Sequence, residues 1–352
     1  MTLDLPLIWA GLIATAVLLY VVLDGFDLGV GILFPFARTP GERDVMMNTI
    51  APVWDGNETW LVLGGGGLLA AFPLAYSVLM PALYLPVLLM LAGLILRGVA
   101  FEFRFRARNR GRKFWTQMFA GGSILTAVAQ GLILGGFIQG VTVENDRFAG
   151  GAFDWFTPYT LLVAAGLVAG YALLGSTWLM MKTTDNLHGD ARRWTVWGAA
   201  GVTALLAAVS VATLVIHPRI AARWGINLGG NIFDDTYWFM VQMETLLPLL
   251  LIPLLGLIGL GIVFVMGRKG SHRWPFVGAL LVFLSGYLGL AAGFAPYVVP
   301  YALDFRQAAA PDNALGLMLV GTAIILPLIL LYTAWVYYIF RGKIDAEAGY
   351  HH

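Results

Sequence analysis

The chain has 352 residues, of which 59% are apolar and only 12% charged, with a net charge of +1 and a mean hydropathy of +0.79. A soluble domain carries roughly 25% charged residues; half the usual solvent-facing charge is missing, which excludes an ordinary water-soluble protein and points to apolar surface that meets lipid. The chain has no cysteine, which excludes disulfides, thiolate metal sites and iron–sulfur clusters; the near-neutral charge argues neither for nor against nucleic acid, and no nucleic-acid partner is expected.

Crossing roughly 30 Å of hydrocarbon takes about 20 residues. Nine stretches reach that length: 6–36, 56–76, 81–103, 115–140, 155–181, 194–216, 237–266, 274–299 and 315–340. Residues 1–5 carry no Lys or Arg, so the first stretch reads as a retained helix rather than a cleaved signal. The first span carries Asp24 and Asp27 with Gly25, Gly29 and Gly31; the second follows Trp54 and Asp55 and contains Glu58 and four glycines at 64–67. Such small residues predict close helix packing. The third span holds Arg97 and Glu102 and runs into the basic stretch FRFRARNRGRK at 103–113, which reads as a headgroup anchor beside the bilayer. Later spans often open on Trp or Tyr, as aromatic rings do at the headgroup level, and the seventh carries Glu244 near its outer side. The runs show no period-two alternation, so an all-α protein is expected rather than a barrel. With no long polar insertion, residues 1–352 read as a single membrane domain.

Basic residues set the direction. One side holds Arg38, Arg43, Arg104, Arg106, Arg108, Arg110, Arg112, Lys113, Lys182, Arg192, Arg193, Arg268, Lys269, Arg273, Arg341 and Lys343; the other holds Arg147, Arg219, Arg223 and Arg306. That asymmetry of 16 against 4 predicts an outside amino terminus and a cytoplasmic carboxyl terminus.

Ionisable groups inside a bilayer cost about 2.5–3.5 kcal/mol each on insertion scales, face the protein interior and mark routes for ions or protons. Asp24 and Asp27 share a helix face, as do Asp55 and Glu58. Together with Arg97 and Glu102 they fall near the cytoplasmic boundary, where a guanidinium among carboxylates lowers the cost of burying them. Two readings compete here: a proton route, or ion pairs that serve packing and topology. Glu244 has no evident partner. All five histidines, His188, His217, His272, His351 and His352, are expected in connections or the tail. A membrane haem takes its axial ligands from within a bundle, so this chain is expected to bind no haem or metal.

The segments VLDGFDLGVG at 22–31, NTIAPVWDGNETW at 48–60, LRGVAFEF at 96–103 and LYTAWVY at 331–337 resemble the hallmark segments of subunit II of cytochrome bd-type quinol oxidases. The wording at 43–61 and 72–85 is closest to the cyanide-insensitive branch. The resemblance implies nine helices arranged as two four-helix bundles plus a peripheral ninth, in the inner membrane of a bacterium. It implies a partner, subunit I, that carries two b haems and haem d and oxidises membrane quinol while dioxygen is reduced to water. On this chain it implies a proton path through Asp27, Asp55, Arg97 and Glu102, with Trp54, Asp24 and Glu58 as accessory residues. At Glu102 some relatives have aspartate, one methylene shorter. Surrounding lipids, a structural quinone and a small single-helix subunit are further candidate partners. The rival classes are an ion-coupled secondary transporter and a purely architectural membrane subunit.

Overall fold

The structure, a computed structural model, describes residues 3–217, 220 and 236–344, with side chains from residue 249 onward in the last stretch. It is about 81% helical. The helices are α1 (Leu5–Leu33), α2 (Pro40–Ile50), α3 (Trp54–Ala71), α4 (Pro73–Ala82), α5 (Tyr84–Arg106), α6 (Asn109–Gln139), α7 (Pro158–Lys182), α8 (Asp185–Ile216), α9 (Thr236–Arg268), α10 (Trp274–Phe294) and α11 (Asp312–Ile339). Among the described residues eight helices are long and apolar enough to cross a bilayer: α1, α5 to α8, the Leu249–Arg268 part of α9, α10 and α11.

The stretch expected as the second span divides. α3 has 18 residues with Asp55, Asn57 and Glu58 in its first two turns, which takes it out of the set of eight. It stops at Ala71 because Pro73 follows Phe72, and a residue before proline is pushed out of the helical region; Phe72 has φ −131° and ψ 63°. The ten-residue α4 intervenes, and a second break at Leu83 delays the third span from 81 to Tyr84. Other boundaries move too. α6 and α8 begin at Asn109 and Asp185, earlier than expected at 115 and 194, and α10 ends at Phe294, giving way to a short strand at Tyr297–Val299. The connection after α1 contains a helix, α2, that opens on a capping box between Thr39 and Glu42.

The core gathers around the inner half of α1. Every residue from 24 to 34 is buried, whereas the first half of the helix is largely open. Close approach explains it: a methyl group on Gly29 would lie 1.9 Å from the Tyr171 carbonyl oxygen, and one on Gly175 would lie 2.3 Å from the Gly29 carbonyl carbon. Backbones of α1 and α7 therefore touch, as small residues allow in membranes. The glycine run on α3 splits by face. Gly64 and Gly67 look towards Val17 and Ile13 of α1, while Gly65 and Gly66 face open space, so close packing holds for two of the four.

α11 lies at the edge, with Leu315 as its one buried residue. It is pinned near both ends. The Trp9 indole donates to the Leu315 carbonyl at 3.0 Å, and Tyr337 donates to Asn57 at 2.8 Å. Just past the helix, Ile344 N–H donates to the Lys182 carbonyl at 2.8 Å, and the Lys182 ammonium donates to the Phe340 carbonyl.

Candidate functional site: a buried guanidinium among carboxyl groups

The sequence asymmetry accounts for sixteen and four of the 21 Lys and Arg residues; the remaining one is Arg97. α5 carries it inward, leaving 2% of the side chain exposed. Its two terminal nitrogens reach different helices: Nη1 donates to Asp24 Oδ1 of α1 at 2.6 Å, and Nη2 donates to Glu58 Oε2 of α3 at 3.0 Å. The planar fork of arginine suits such a bridge, which a single ammonium would not hold in the same way.

Asp27 stands one turn beyond Asp24 on the same face of α1, and both are fully buried. Among the described residues no cation forms an ion pair with Asp27. Its Oδ2 accepts from Asn57 Nδ2 at 2.8 Å, and the same amide donates to the Leu23 carbonyl at 3.3 Å. Asn57 Oδ1 accepts from the Tyr337 hydroxyl, so a phenol, an amide and a carboxyl line up across α11, α3 and α1. Three buried polar atoms of the cluster have no hydrogen-bond partner among the described residues: Asp24 Oδ2, Asp27 Oδ1 and Arg97 Nε. A solvating partner such as water is what unpaired atoms of this kind call for.

The cluster is off-centre. Asp24 lies nine residues from Leu33, about 13 Å of helix, and 19 residues from Leu5, about 28 Å. The near end is the one that carries the basic connections.

The structure brings Asp24, Asp27, Glu58 and Arg97 together and leaves Asp55 and Glu102 outside. Glu102 follows Arg97 by five residues, which turns it about 140° around α5; it is exposed. Asp55 is exposed on the first turn of α3, and its charge is felt by Glu58. Neither residue forms an ion pair or side-chain hydrogen bond among the described residues. Trp54 stacks on Phe101 with centroids 5.1 Å apart, bracing α3 against α5 beside the cluster. The Glu244 side chain lies outside the described residues. Sequence reading missed Asn57, Tyr337, Tyr20, Gln130 and Tyr171, all neutral; the available signal was a polar amide within or at the edge of an apolar span.

Two arginines of the basic stretch at 103–113 do more than meet headgroups. Arg104 is 1% exposed and donates to Asp44 of α2 at 2.7 Å and to Thr116 at 3.0 Å; Arg112 reaches the same aspartate at 2.5 Å. The histidine expectation needs one correction: His188 lies within the first turn of α8, because that helix starts at Asp185. The rings of His188 and His272 pack 4.4 Å apart and both direct Nδ1 at the Met180 carbonyl, which leaves no room for a porphyrin between them. His217 caps α8 at the far end, beside Phe294 and Tyr301. His351 and His352 lie outside the described residues.

The sequence matches the family described as cytochrome bd terminal oxidase subunit II over residues 5–340. It is 30% identical to cytochrome bd-I ubiquinol oxidase subunit 2 of Escherichia coli (strain K12), covering 97% of this chain and 96% of that one. It is 26% identical to cytochrome bd ubiquinol oxidase subunit 2 of Bacillus subtilis (strain 168), covering 96% of each. The fold is similar to a chain of the bd oxidase from Geobacillus thermodenitrificans, with a TM-score of 0.72 and 15% identity over 96% of this chain and 99% of that one. The two counts of similarity agree in extent as well as kind, and the chain belongs to the cytochrome bd terminal oxidase subunit II family.

Proposed function

We propose that this chain is the haem-free second subunit of a bd-type quinol:oxygen oxidoreductase in a bacterial inner membrane. It supports a haem-bearing subunit I and supplies the proton path from the cytoplasm for reduction of dioxygen to water. The observation that carries the reading is the charge count at the site: one buried guanidinium faces three carboxyl groups, Asp24, Asp27 and Glu58. In a low-dielectric interior, charges are retained when paired, so two carboxyls in excess of the cation make a place where protons are held and passed on. Glu58 is the link outward, since 27% of its side chain is exposed while Asp24 is sealed. Asp55 and Glu102 form the mouth, gathering protons at the surface and handing them to Glu58. Arg97 keeps Asp24 and Glu58 in fixed register. Asp27, with an unpartnered oxygen, is the inner station.

In this reading the basic end is cytoplasmic, as the 16 against 4 asymmetry predicts, and α3 is the ninth crossing, completing two four-helix bundles with α11 peripheral within one membrane domain. The haems reside on the partner; a structural quinone, if bound, is held by contacts other than this cluster. A transporter site would sit near the midplane, whereas this cluster lies about 13 Å along α1 from one end.

The test uses the assembled oxidase. Asp55→Asn and Glu58→Gln each lower oxygen consumption at least about tenfold, as the loss of a proton-transfer group does, with haem content retained. Normal rates in both assembled variants would remove the route through this chain and leave the architectural reading.

A further inference from the structure

A second polar file leaves the site on its other side. Tyr20 of α1, Gln130 of α6 and Tyr171 of α7 are 4%, 8% and 1% exposed, at the middle of an apolar bundle. Tyr20 is 15 residues from Leu5 and 13 from Leu33, so it lies close to mid-depth of its helix. The Tyr171 hydroxyl donates to Gln130 Oε1 at 2.6 Å, and Gln130 Nε2 donates to the Tyr20 oxygen at 2.5 Å. Gly25 makes room for this: a methyl group there would lie 2.7 Å from Tyr171 Cε1.

The polarity of the file follows from chemistry. A phenol facing an amide oxygen must donate, and a phenol facing an amide N–H must accept. With its oxygen taken by Gln130, Tyr20 still has its own proton to give, and one turn along the same helix stands Asp24, whose Oδ1 is held by Arg97 and whose Oδ2 has no hydrogen-bond partner among the described residues. Turning the amide round would send the Tyr20 proton to Gln130 and leave Tyr171 needing a new acceptor beside the Phe283 ring that stacks on it. The sense in the structure pairs Gln130 with both phenols and leaves the Tyr20 proton for the carboxyl one turn along. The same device recurs on the next acid, where Tyr337 and Asn57 serve Asp27. A neutral amide does not take up and release a proton as a hydroxyl or carboxyl does, so the file aligns without conducting.

We infer that Gln130 is a positioning residue which, by occupying the Tyr20 oxygen, aims the Tyr20 hydroxyl at Asp24 and holds that carboxyl in register with Arg97. The inference rests on the proposed route only in giving Asp24 a part in turnover. Charged and titratable groups facing Asp24 are Arg97 from α5, Glu58 from α3, Tyr171 from α7, and Tyr20 and Asp27 from α1.

The experiment compares Tyr20→Phe, Gln130→Leu and the double variant in the assembled oxidase, with Asp24→Asn to assign the infrared carboxyl bands. Each single variant lowers turnover about ten- to a hundredfold, the size of one hydrogen bond to a charged group, and shifts the bands that Asp24→Asn abolishes. The double variant is no slower than Tyr20→Phe alone, because Gln130 acts through Tyr20. Multiplying losses, or bands left in place, overturn the inference. Tyr20→Phe removes one oxygen, so its spectrum decides the matter even where Gln130→Leu lowers the yield. If Asp24→Asn itself respires normally, the route through Asp24 fails; if it is slow while the bands stay put in Tyr20→Phe, only the positioning fails.

Discussion

Two buried arginines, Arg97 and Arg104, sit seven residues apart on one helix and are 2% and 1% exposed, yet their surroundings are opposite. Arg97 meets two acids directly, with a third beside them. Arg104 shares a single acid, Asp44, with Arg112, and lies over the Phe34 ring at 5.1 Å. The first cluster has carboxyls to spare and the second has cations to spare. Burial does not distinguish the two clusters; the balance of charge does. A cation-rich knot has no place for a proton and serves to clamp α2 to α5 and α6. An acid-rich one can fill and empty.

Substitutions on either side break or sharpen that contrast. The largest effect is expected from Arg97→Gln, which leaves Asp24 buried without its cation; about 3–5 kcal/mol of stability is lost, read as failure to recover the assembled oxidase from membranes. Next is Asp27→Asn, which keeps an acceptor for Asn57 but cannot exchange a proton; turnover falls at least about tenfold with the haem spectrum intact. Asp44→Asn, on the cation-rich side, costs about 1–3 kcal/mol in thermal unfolding, while turnover per haem stays within about twofold, since no proton passes there. A turnover loss in Asp44→Asn as large as in Asp27→Asn would erase the distinction.

The smallest effect lies at the opposite end. Burial holds the His217 imidazole below its ordinary value of 6.5, and its Nε2 has no hydrogen-bond partner among the described residues. A depressed value in the folded state means that the unfolded chain binds the proton first, so the contribution is complete above about pH 6.5 and is lost as pH falls through the folded value. The melting temperature in detergent should drop on acidification below pH 6.5, and His217→Phe should flatten that part of the profile.

Much of the fold was legible because lipid imposes a length: spans 6–36, 237–266 and 315–340 match α1, α9 and α11 within a few residues. The break at Phe72 was readable from Pro73 but lay inside a stretch, 56–76, judged by hydropathy alone; α2 was readable from its Thr39–Glu42 signature but lay in a connection that hydropathy does not read. The site was half legible. Charge marked Asp24, Asp27, Glu58 and Arg97, since ionised groups stand out in apolar sequence. Helical arithmetic could have turned Glu102 away from Arg97 beforehand. Gln130 and Tyr20 were not legible, because neutral polar residues in a span announce no partner until three helices meet.

Tyr337 completes the Asn57–Asp27 file from the last helix described, 280 residues beyond its partner. Translation proceeds from the amino end, so α1 and α3 enter the bilayer while Asn57 Oδ1 still lacks its phenol. A nascent chain interrupted before α11 would thus present a mismatched amide to the quality-control machinery, and only a fully synthesised polypeptide would conceal it.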